Sequence, residues 1–372
     1  APATARAVSK STSPTSPSSV RLIPTSITVA PGFSQSPCTK RGRPTAATTI
    51  SAQAETWRVQ TSMTAGESFY TDIEKYWLPR LAEMTDGKLT IELTPVGSVV
   101  PYNETMDAIG QGILQGDITA TTYFTGRNKA FSILGDLIAG YDRPEQISMF
   151  CYHGGGRELL QEAYDKFTDG TVQVIGCSPI AREAFVAKVP IRSVEDFKGK
   201  KVRAPEGLAS EVFKRAGASV VVLPAAETFS GIDKGVVDAA DFSTYTMNDS
   251  LGFNKIAQHP VYPGIHSMPL IHFTVNKAAY DALSDSHKTI LDVWYRAMID
   301  DLRMRNDIND RQLVARDLAA GIDVVDWPQA ERDKFRAIAV EAWRDYAQGD
   351  PLAEKAYAAQ VKFMKGIGLL QE

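Results

Sequence analysis

Two arginines near the middle of the chain are the residues whose chemistry is easiest to recognise. Arg203 ends the strand-like segment Lys201-Val-Arg203 and is followed by the break Pro205-Glu-Gly207. Arg182 comes earlier, in the stretch Ser178-Pro-Ile-Ala-Arg182-Glu183. A guanidinium presents a rigid fork of donors that matches a carboxylate, so two of them facing one cleft would bind an organic anion. The alternative is a pair of solvated surface arginines.

An acidic and aromatic segment could complete such a site. Asp241 ends the strand-like run Val236-Val-Asp-Ala-Ala-Asp241, and ligand clefts of α/β proteins open at the carboxyl ends of strands. Its carboxylate would serve as an oxygen ligand for a cation or as a counter-charge for an arginine. A helix cap or a surface carboxylate fits the pattern equally well. Phe242 and Tyr245 follow as candidate ligand contacts.

Two aromatic residues end the corresponding strand in the first half of the chain. Tyr123 and Phe124 follow the segment Asp117-Ile-Thr-Ala-Thr-Thr. They would line the same cleft or pack in the core, and the pattern leaves both interpretations open.

The sequence carries no enzyme signature. Gly-x-Ser-x-Gly, a phosphate-binding P-loop and His-Glu-x-x-His are all missing, and these motifs mark the common hydrolases and nucleotide-binding enzymes. The five histidines show no paired metal-ligand spacing, so packing or surface positions are expected for them. Gly154-Gly-Gly156 predicts a tight turn into a helix rather than a phosphate cradle. No catalytic cofactor is expected.

Composition narrows the class of protein. A chain of 372 residues is too long for one small core and favours two lobes. The net charge of −4 offers no overall attraction for nucleic acid or for an anionic membrane. Cys38, Cys151 and Cys177 fit neither a metal site nor a disulfide framework, and the last two are expected to be buried as small apolar residues.

The first 54 residues differ in composition from the rest. They are rich in Ser, Thr, Pro and Ala, and the first acidic residue is Glu55. Such a segment cannot bury enough apolar surface to fold, which predicts an unfolded leader or a cloning remnant. Its apolar stretch, residues 22–29, is short and broken by proline, so export cannot be recognised from this end.

From Trp57 onward, strand patterns alternate with helix patterns. Strands are predicted over 57–61, 88–94 and 117–123, and helices over 67–85 and 106–114. This order favours an α/β fold with a largely parallel sheet. Residues 55–178 are expected to form mainly the first lobe, and residues 179–276 mainly the second.

The chain after Asn276 is predicted to be almost wholly helical. Ser284 and Asp326 have the positions of helix caps. The helices of residues 277–372 are expected to pack across both lobes, and part of their apolar surface would form a dimer interface.

Several segments carry a family resemblance. The stretch Pro190-Ile-Arg-Ser-Val-Glu-Asp-Phe-Lys-Gly-Lys-Lys-Val-Arg203 resembles the solute-binding subunit of tripartite ATP-independent periplasmic (TRAP) transporters, the DctP-type family. The resemblance extends from about Trp57 to the C-terminus. Tyr262-Pro-Gly264, Ile271–Lys277 and Phe150–Leu160 are similar to the branch that binds α-keto acids.

The resemblance assigns roles to individual residues. Arg203 matches the arginine that binds the substrate carboxylate, and Arg182 matches a second arginine of the sugar-acid-binding members. In the keto-acid branch the position of Arg182 is an amide that helps to hold a metal ion. The acidic–aromatic pair of that branch, whose carboxylate and backbone carbonyl bind the cation, matches Asp241-Phe242. Glu183 would supply a metal ligand if the register differs by one residue.

The resemblance therefore implies a two-lobed, hinged periplasmic binding protein rather than an enzyme. It would capture a small organic carboxylate, with Ca²⁺ or Na⁺ as the open choices of bridging ion, and deliver it to the membrane subunits of a TRAP transporter. An α-keto or α-hydroxy monocarboxylate is the first choice of ligand, and a sugar acid or dicarboxylate is the second. Two other classes stay open: an enzyme on a similar scaffold that uses Asp241 or His153, and a structural interaction protein.

Overall fold

A computed structural model describes residues 54–371. The predicted leader, residues 1–54, lies outside the described residues except for its last position. In the described range the strands are β1 (Glu55–Thr61), β2 (Leu89–Thr94), β3 (Gly116–Ala120), β4 (Val172–Pro179), β5 (Ala184–Ala187), β6 (Lys201–Ala204), β7 (Ser219–Val222), β8 (Ala239–Ser243) and β9 (Leu270–Asn276).

The helices of the same range fall between the strands and after the last one. They are α1 (Ser68–Asp72), α2 (Leu78–Met84), α3 (Thr105–Gly110), α4 (Ala130–Gly135), α5 (Pro144–His153), α6 (Gly156–Thr168), α7 (Leu208–Arg215), α8 (Ala225–Asp233), α9 (Tyr245–Ser250), α10 (Phe253–Ile256), α11 (Lys277–Ala282), α12 (Asp285–Ala319), α13 (Gln329–Ala347) and α14 (Pro351–Gly366). No helix among them is both long and apolar enough to cross a membrane.

The strands form two sheets, one in each lobe. The strand order is β2-β1-β3-β9-β4 in the first sheet and β5-β8-β6-β7 in the second. In the first sheet β1 pairs in parallel with β2 and β3, whereas β9 pairs antiparallel with β3 and β4. In the second sheet β5 is the antiparallel strand. The predicted two-lobed α/β class is confirmed, but both sheets are mixed rather than largely parallel.

Between its first and last strands, the chain crosses from one sheet to the other at two points near the cleft. After β4 ends at Pro179, the chain enters the second sheet at Ala184. It returns after α10, through residues 257–269, to form β9 in the first sheet. The end of the range 179–276, expected mainly in the second lobe, thus supplies a central strand of the first sheet. The two crossing segments form the hinge region.

The first long helix is interrupted by a widened turn. A π-helical turn, Ile73–Trp77, separates α1 from α2. Pro79 lies in the first turn of α2, and because proline has no backbone N–H it cannot continue the regular hydrogen-bond ladder. Ile73, Trp77 and Leu81 nevertheless stay buried on the side that faces the sheet.

Helix caps in the C-terminal region were predicted with mixed success. Ser284 caps α12 as expected, since its hydroxyl accepts a hydrogen bond from the backbone N–H of His287 at 3.2 Å. The prediction for Asp326 was wrong, because α13 begins after Pro328. The carboxylate of Asp326 instead accepts a hydrogen bond from Arg332 at 3.1 Å.

Helix α12 contacts both lobes along its 35 residues. Near its start, the indole N–H of Trp294 donates to the backbone carbonyl of Trp77 in the first lobe at 2.8 Å. Nearer its end, Asp310 accepts a hydrogen bond from the backbone N–H of Thr246 in the second lobe at 2.7 Å. The helix therefore connects the two sheets on the outside of the hinge.

The prediction that Cys151 and Cys177 are simply small apolar residues was wrong. Both are buried, but they form a disulfide whose Cα atoms lie 6.1 Å apart. Helix α5 packs on β4, and this contact brings the two residues together across 26 positions of sequence. Such a contact between distant segments leaves no spacing signal in the sequence.

Reduction of this disulfide should lower the stability of the folded lobes. A bond that closes a loop of 26 positions stabilises the native state by about 3 kcal/mol in the chain-entropy model. The melting temperature should therefore fall by several degrees in dithiothreitol. The double variant Cys151→Ala, Cys177→Ala should melt at the lower temperature with and without the reductant; a melting temperature that dithiothreitol leaves unchanged in the native protein would contradict the prediction.

Candidate functional site

A cleft of about 1200 Å³ opens between the two sheets. Arg203 lies in its floor, on β6, and its side chain is almost completely buried, with 6% of the residue exposed. The neighbouring strands hold it in place: its Nε donates to the carbonyl of Leu223 at 3.0 Å and its Nη1 to the carbonyl of Asp241 at 2.6 Å. The guanidinium has further donors for a ligand anion.

The same strands place an aromatic ring beside the guanidinium. The ring centre of Phe242 lies 5.9 Å from the guanidinium carbon of Arg203, within range of a cation–π interaction. Burial lowers the pKa of Arg203, and the charges of Asp241 and Glu183 oppose this effect. An arginine stays charged under such conditions, so the floor of the cleft carries a fixed positive group.

Two acidic side chains and a histidine lie close together next to Arg203. The Nε2 atom of His266 lies 3.1 Å from Oδ1 of Asp241 and 3.6 Å from Oε2 of Glu183. One ligand atom from each of the three side chains lies within 4.8 Å of the other two. A metal ion could be held at this spacing. Asp241 and Glu183 line the cleft, whereas His266 lies behind them.

The three groups shift one another's protonation. Burial raises the pKa of Glu183. Burial also acts to raise the pKa of Asp241, but the charge and hydrogen bond of His266 outweigh it, so this pKa lies below the usual value. The two carboxylates in turn raise the pKa of His266 against the effect of burial. Asp241 and His266 thus form a buried ion pair beside a carboxyl that favours its protonated form.

A further acid, Asp136, lies in the same cleft. Its carboxylate accepts hydrogen bonds from the hydroxyl of Ser267 and, at 3.2 Å, from the backbone N–H of Met268. Burial nevertheless raises its pKa to about 7. Among the described residues that line the cleft, Arg203 is the only arginine or lysine, whereas five are acidic, namely Glu67, Asp136, Glu183, Glu206 and Asp241.

This donor set fits a bound cation. Carboxylates that face each other in a buried site either keep a proton or gather around a positive ion. Asp241 and Glu183 together supply the carboxylate oxygens that Ca²⁺ or Na⁺ prefers. The part expected of the Phe242 carbonyl remains a prediction.

The structure brings together five of the predicted site residues. Arg203, Asp241, Phe242, Glu183 and Tyr123 all line the cleft. Glu183 rather than Arg182 is therefore the cleft residue of that pair, which corresponds to the alternative register.

Arg182 lies outside the cleft lining. It precedes Glu183 in an extended crossing segment, and consecutive side chains of an extended chain point to opposite sides. Its surroundings include Arg332 and Asp142, and burial is the main reason that its pKa falls to about 10. Of the two predicted arginines, the cleft lining therefore contains only Arg203.

Phe124 and Tyr245 also lie outside the cleft lining. Phe124 is 1% exposed and packs in the core, with its ring centre 5.8 Å from that of Phe131. Tyr245 turns toward α12, where its hydroxyl donates to Asp317 at 2.8 Å. Alternation along the chain could have separated Tyr123 from Phe124, but it does not say which of the two faces the cleft.

His266, Asp136 and Ser267 were not predicted. They lie far from Arg203 in sequence: His266 and Ser267 belong to the chain that returns to the first lobe, and Asp136 follows α4. No motif marks them; Gly264-Ile-His266 merely adjoins a segment that carries the family resemblance.

The two lobes and the cleft between them have the arrangement expected of a two-lobed binding protein. The family model of bacterial extracellular solute-binding proteins, family 7 (DctP), matches residues 59–350. The chain therefore belongs to the DctP family, whose members are substrate-binding proteins of transporters and not enzymes.

Individual relatives agree with this assignment. A monocarboxylate 2-oxoacid-binding periplasmic protein from Nostoc sp. is 29% identical over 315 residues, which cover 84% of each chain. A TRAP periplasmic solute-binding protein from Rhodobacter sphaeroides, in an apo open crystal structure, is 40% identical with a TM-score of 0.78, over 86% of this chain and 100% of the other.

A third relative has a similar fold at lower identity. The TRAP periplasmic solute-binding protein from Colwellia psychrerythraea, crystallised with bound calcium and pyruvate, is 23% identical with a TM-score of 0.69. The match covers 85% of this chain and 95% of that structure.

The raised pKa of Asp136 predicts a pH-dependent effect of the substitution Asp136→Asn. Because the folded-state pKa is about 7 and the unfolded value is about 4, the stability present below about pH 4 is lost as the pH rises from about 4 to about 7. An asparagine cannot ionise; its one carbonyl oxygen can accept from the backbone N–H of Met268, and its amide N–H can donate to the hydroxyl of Ser267. In ligand-free protein with EDTA, the variant should melt above the native protein at pH 8 and by a clearly smaller margin near pH 5.

The control is Glu83→Gln, which removes an exposed acid on α2. Its melting temperature should differ from that of the native protein by an amount that does not grow between pH 5 and pH 8. If Asp136→Asn behaves in the same way, Asp136 does not titrate in this range.

Proposed function

We propose that the protein captures a 2-oxo or 2-hydroxy monocarboxylate together with a cation, Ca²⁺ in the first place and Na⁺ as the alternative. The observation that carries the proposal is the position of one buried guanidinium next to the carboxylates of Asp241 and Glu183 in a single cleft. The ligand's carboxylate would bind Arg203, and its neighbouring oxygen would complete the coordination of the cation.

The charges in the cleft favour binding of the ligand together with a cation. A ligand anion on Arg203 would face the negative charge of Asp241, and Asp136 and Glu183 would add repulsion when ionised. A bound cation would replace this repulsion with attraction for the ligand anion and would give the ligand a second point of attachment. The 2-oxoacid in the name of the Nostoc relative and the calcium and pyruvate in the Colwellia structure support the same pairing.

The position of Arg182 argues against the second candidate, a sugar acid or dicarboxylate held by two arginines. Such a ligand needs a second cationic side chain, and Arg203 is the only arginine or lysine among the described residues lining the cleft. The proposed ligand needs only one.

Family membership supports the rest of the proposal. The protein would work in the periplasm and deliver its ligand to the membrane subunits of a TRAP transporter. Closure of the two lobes over the ligand would exclude water and strengthen each charged contact. Formation of a homodimer through the C-terminal helices stays a prediction.

Binding of pyruvate and Ca²⁺ should be mutually dependent. In protein stripped of metal with EDTA, the two ligands added together should raise the melting temperature by more than the sum of their separate effects. Arg203→Lys keeps the charge but loses the fork of donors, and it should weaken pyruvate binding at least tenfold, the rough value of one charge-assisted hydrogen bond. A thermal melt measures the first effect, and titration calorimetry measures the second.

Arg182→Ala is the matched control and should bind pyruvate as the native protein does. Asp241→Asn should bind pyruvate weakly whether or not Ca²⁺ is present. Equal losses in the Arg182 and Arg203 variants would contradict the assignment of the guanidinium. Unchanged pyruvate affinity in EDTA would remove the cation from the proposal and leave the arginine in it.

A further inference from the structure

We propose that the cleft contains a second subsite, which binds a bulky apolar side chain of the ligand. The subsite consists of Tyr102 and Tyr123 on the first lobe and Val222 and Leu251 on the second, which all line the cleft. The inference rests on the proposed function and narrows it: the ligand is a 2-oxo monocarboxylate with a branched aliphatic or aromatic side chain, rather than pyruvate.

The four side chains are unusually exposed for their size. Tyr102 is 46% exposed, Tyr123 41%, Val222 54% and Leu251 49%. Single apolar residues on a protein surface are common, but a group of them that faces one cleft from both sides marks a binding surface. Lobe closure would bring the two pairs toward each other and leave room for an apolar group between them.

The two tyrosines form a preset surface. Their ring centres are 4.6 Å apart and the rings are tilted by 56°. Each tyrosine lies in or next to a short 3-10 turn, so neither depends on a long flexible loop. Rigid aromatic rings bury a large area at a low cost in conformational entropy.

The subsite adjoins the polar end of the cleft. Val222 ends β7 directly before Leu223, whose carbonyl accepts the hydrogen bond of Arg203 at 3.0 Å. On the first lobe, the charge of Glu183 is one of the causes that raise the pKa of Tyr123, after burial and Tyr102. A ligand whose carboxylate sits on Arg203 would therefore direct its side chain between the two pairs.

An acid of three carbons on Arg203 would leave all four exposed side chains to water.

Calorimetry with three acids in the presence of Ca²⁺ tests the subsite. Each buried methylene strengthens binding roughly fourfold, so 4-methyl-2-oxopentanoate and phenylpyruvate should bind at least about tenfold more tightly than pyruvate. Leu251→Ser should weaken the binding of the two larger acids several times more than that of pyruvate. Val293→Ser, which changes an exposed residue on α12 outside the cleft lining, should alter none of the three affinities.

The outcomes separate the two proposals. If pyruvate binds as tightly as the larger acids, or if Leu251→Ser weakens all three equally, the subsite is wrong and the proposed function stands. If none of the three acids binds, the proposed function itself fails and the subsite fails with it.

A second inference comes from the chain segment that returns to the first lobe. Residues 265–269 hold all three central acids of the cleft. The side chain of His266 contacts Asp241 and Glu183, while Ser267 and the backbone of Met268 donate hydrogen bonds to Asp136. The carbonyl of Ser267 also accepts from the backbone N–H of Glu183 at 3.1 Å.

The geometry points to His266 as a positioning residue that couples the cation ligands to the hinge. Its side chain is fully buried, and its ring packs edge-on against Phe185 with centres 5.2 Å apart. Its backbone carbonyl accepts a hydrogen bond from Ala139, in a first-lobe segment, at 2.7 Å. Because the ring cannot swing away, a cation that draws in Asp241 and Glu183 also moves the segment that joins the lobes.

His266→Asn tests this coupling with two measurements. His266→Asn should bind Ca²⁺ about tenfold to a hundredfold more weakly in calorimetry than His266→Gln, because both variants lack the imidazolium charge and only the glutamine can keep a contact with Asp241 and Glu183. The decrease in radius of gyration on saturation with Ca²⁺ and 2-oxo acid, measured by X-ray scattering, should also become smaller. His266→Gln, which can place an N–H near the Nε2 position, should recover part of both effects.

His153→Asn changes an exposed histidine and should affect neither measurement. If saturated His266→Asn compacts as fully as the native protein, His266 does not couple the site to the hinge. If glutamine and asparagine at position 266 behave alike while both variants keep the native melting temperature, the side-chain N–H has no positioning role. A protein that binds no Ca²⁺ at all contradicts the cation and this coupling together.

Discussion

The buried guanidinium of Arg203 is the constraint on which the architecture of the second lobe depends. A buried charge is tolerated only when hydrogen bonds and opposite charges replace its hydration. Here the carbonyls of Leu223 and Asp241 provide the hydrogen bonds. Leu223 follows β7 and Asp241 lies in β8, and these two strands flank β6. The strand order of the sheet therefore holds the guanidinium in place.

Among the described residues that line the cleft, acidic side chains outnumber basic ones. Asp241 is paired with His266, whereas burial raises the pKa values of Glu183 and Asp136. Protonation of Glu183 and Asp136 limits the negative charge of the cleft, and under the proposed function a cation would favour their ionised forms. The affinity for an anion would then depend on whether a cation is bound, which a fixed pair of arginines would not allow.

The sequence predicts individual residues of this site better than it predicts which residues come together. Arg203 and Asp241 could be predicted because each lies near the carboxyl end of a short strand, and these strand ends converge at one edge of a sheet. The choice between Arg182 and Glu183 depends on which side of an extended crossing segment faces the cleft, which a shift of one residue reverses. His266 reaches the site through chain topology alone, and like the disulfide it has no local signal.

Helix α12 adds a mechanical condition to any movement of the lobes. Its 35 residues correspond to a rod about 52 Å long, which is attached to the first lobe at Trp294 and to the second at Asp310. Closure must either curve this rod or slide it along one of its attachments. The free energy needed to bend or slide the helix would be subtracted from the binding free energy of every ligand. The affinity would therefore depend partly on a helix at the outer surface, which does not contact the ligand.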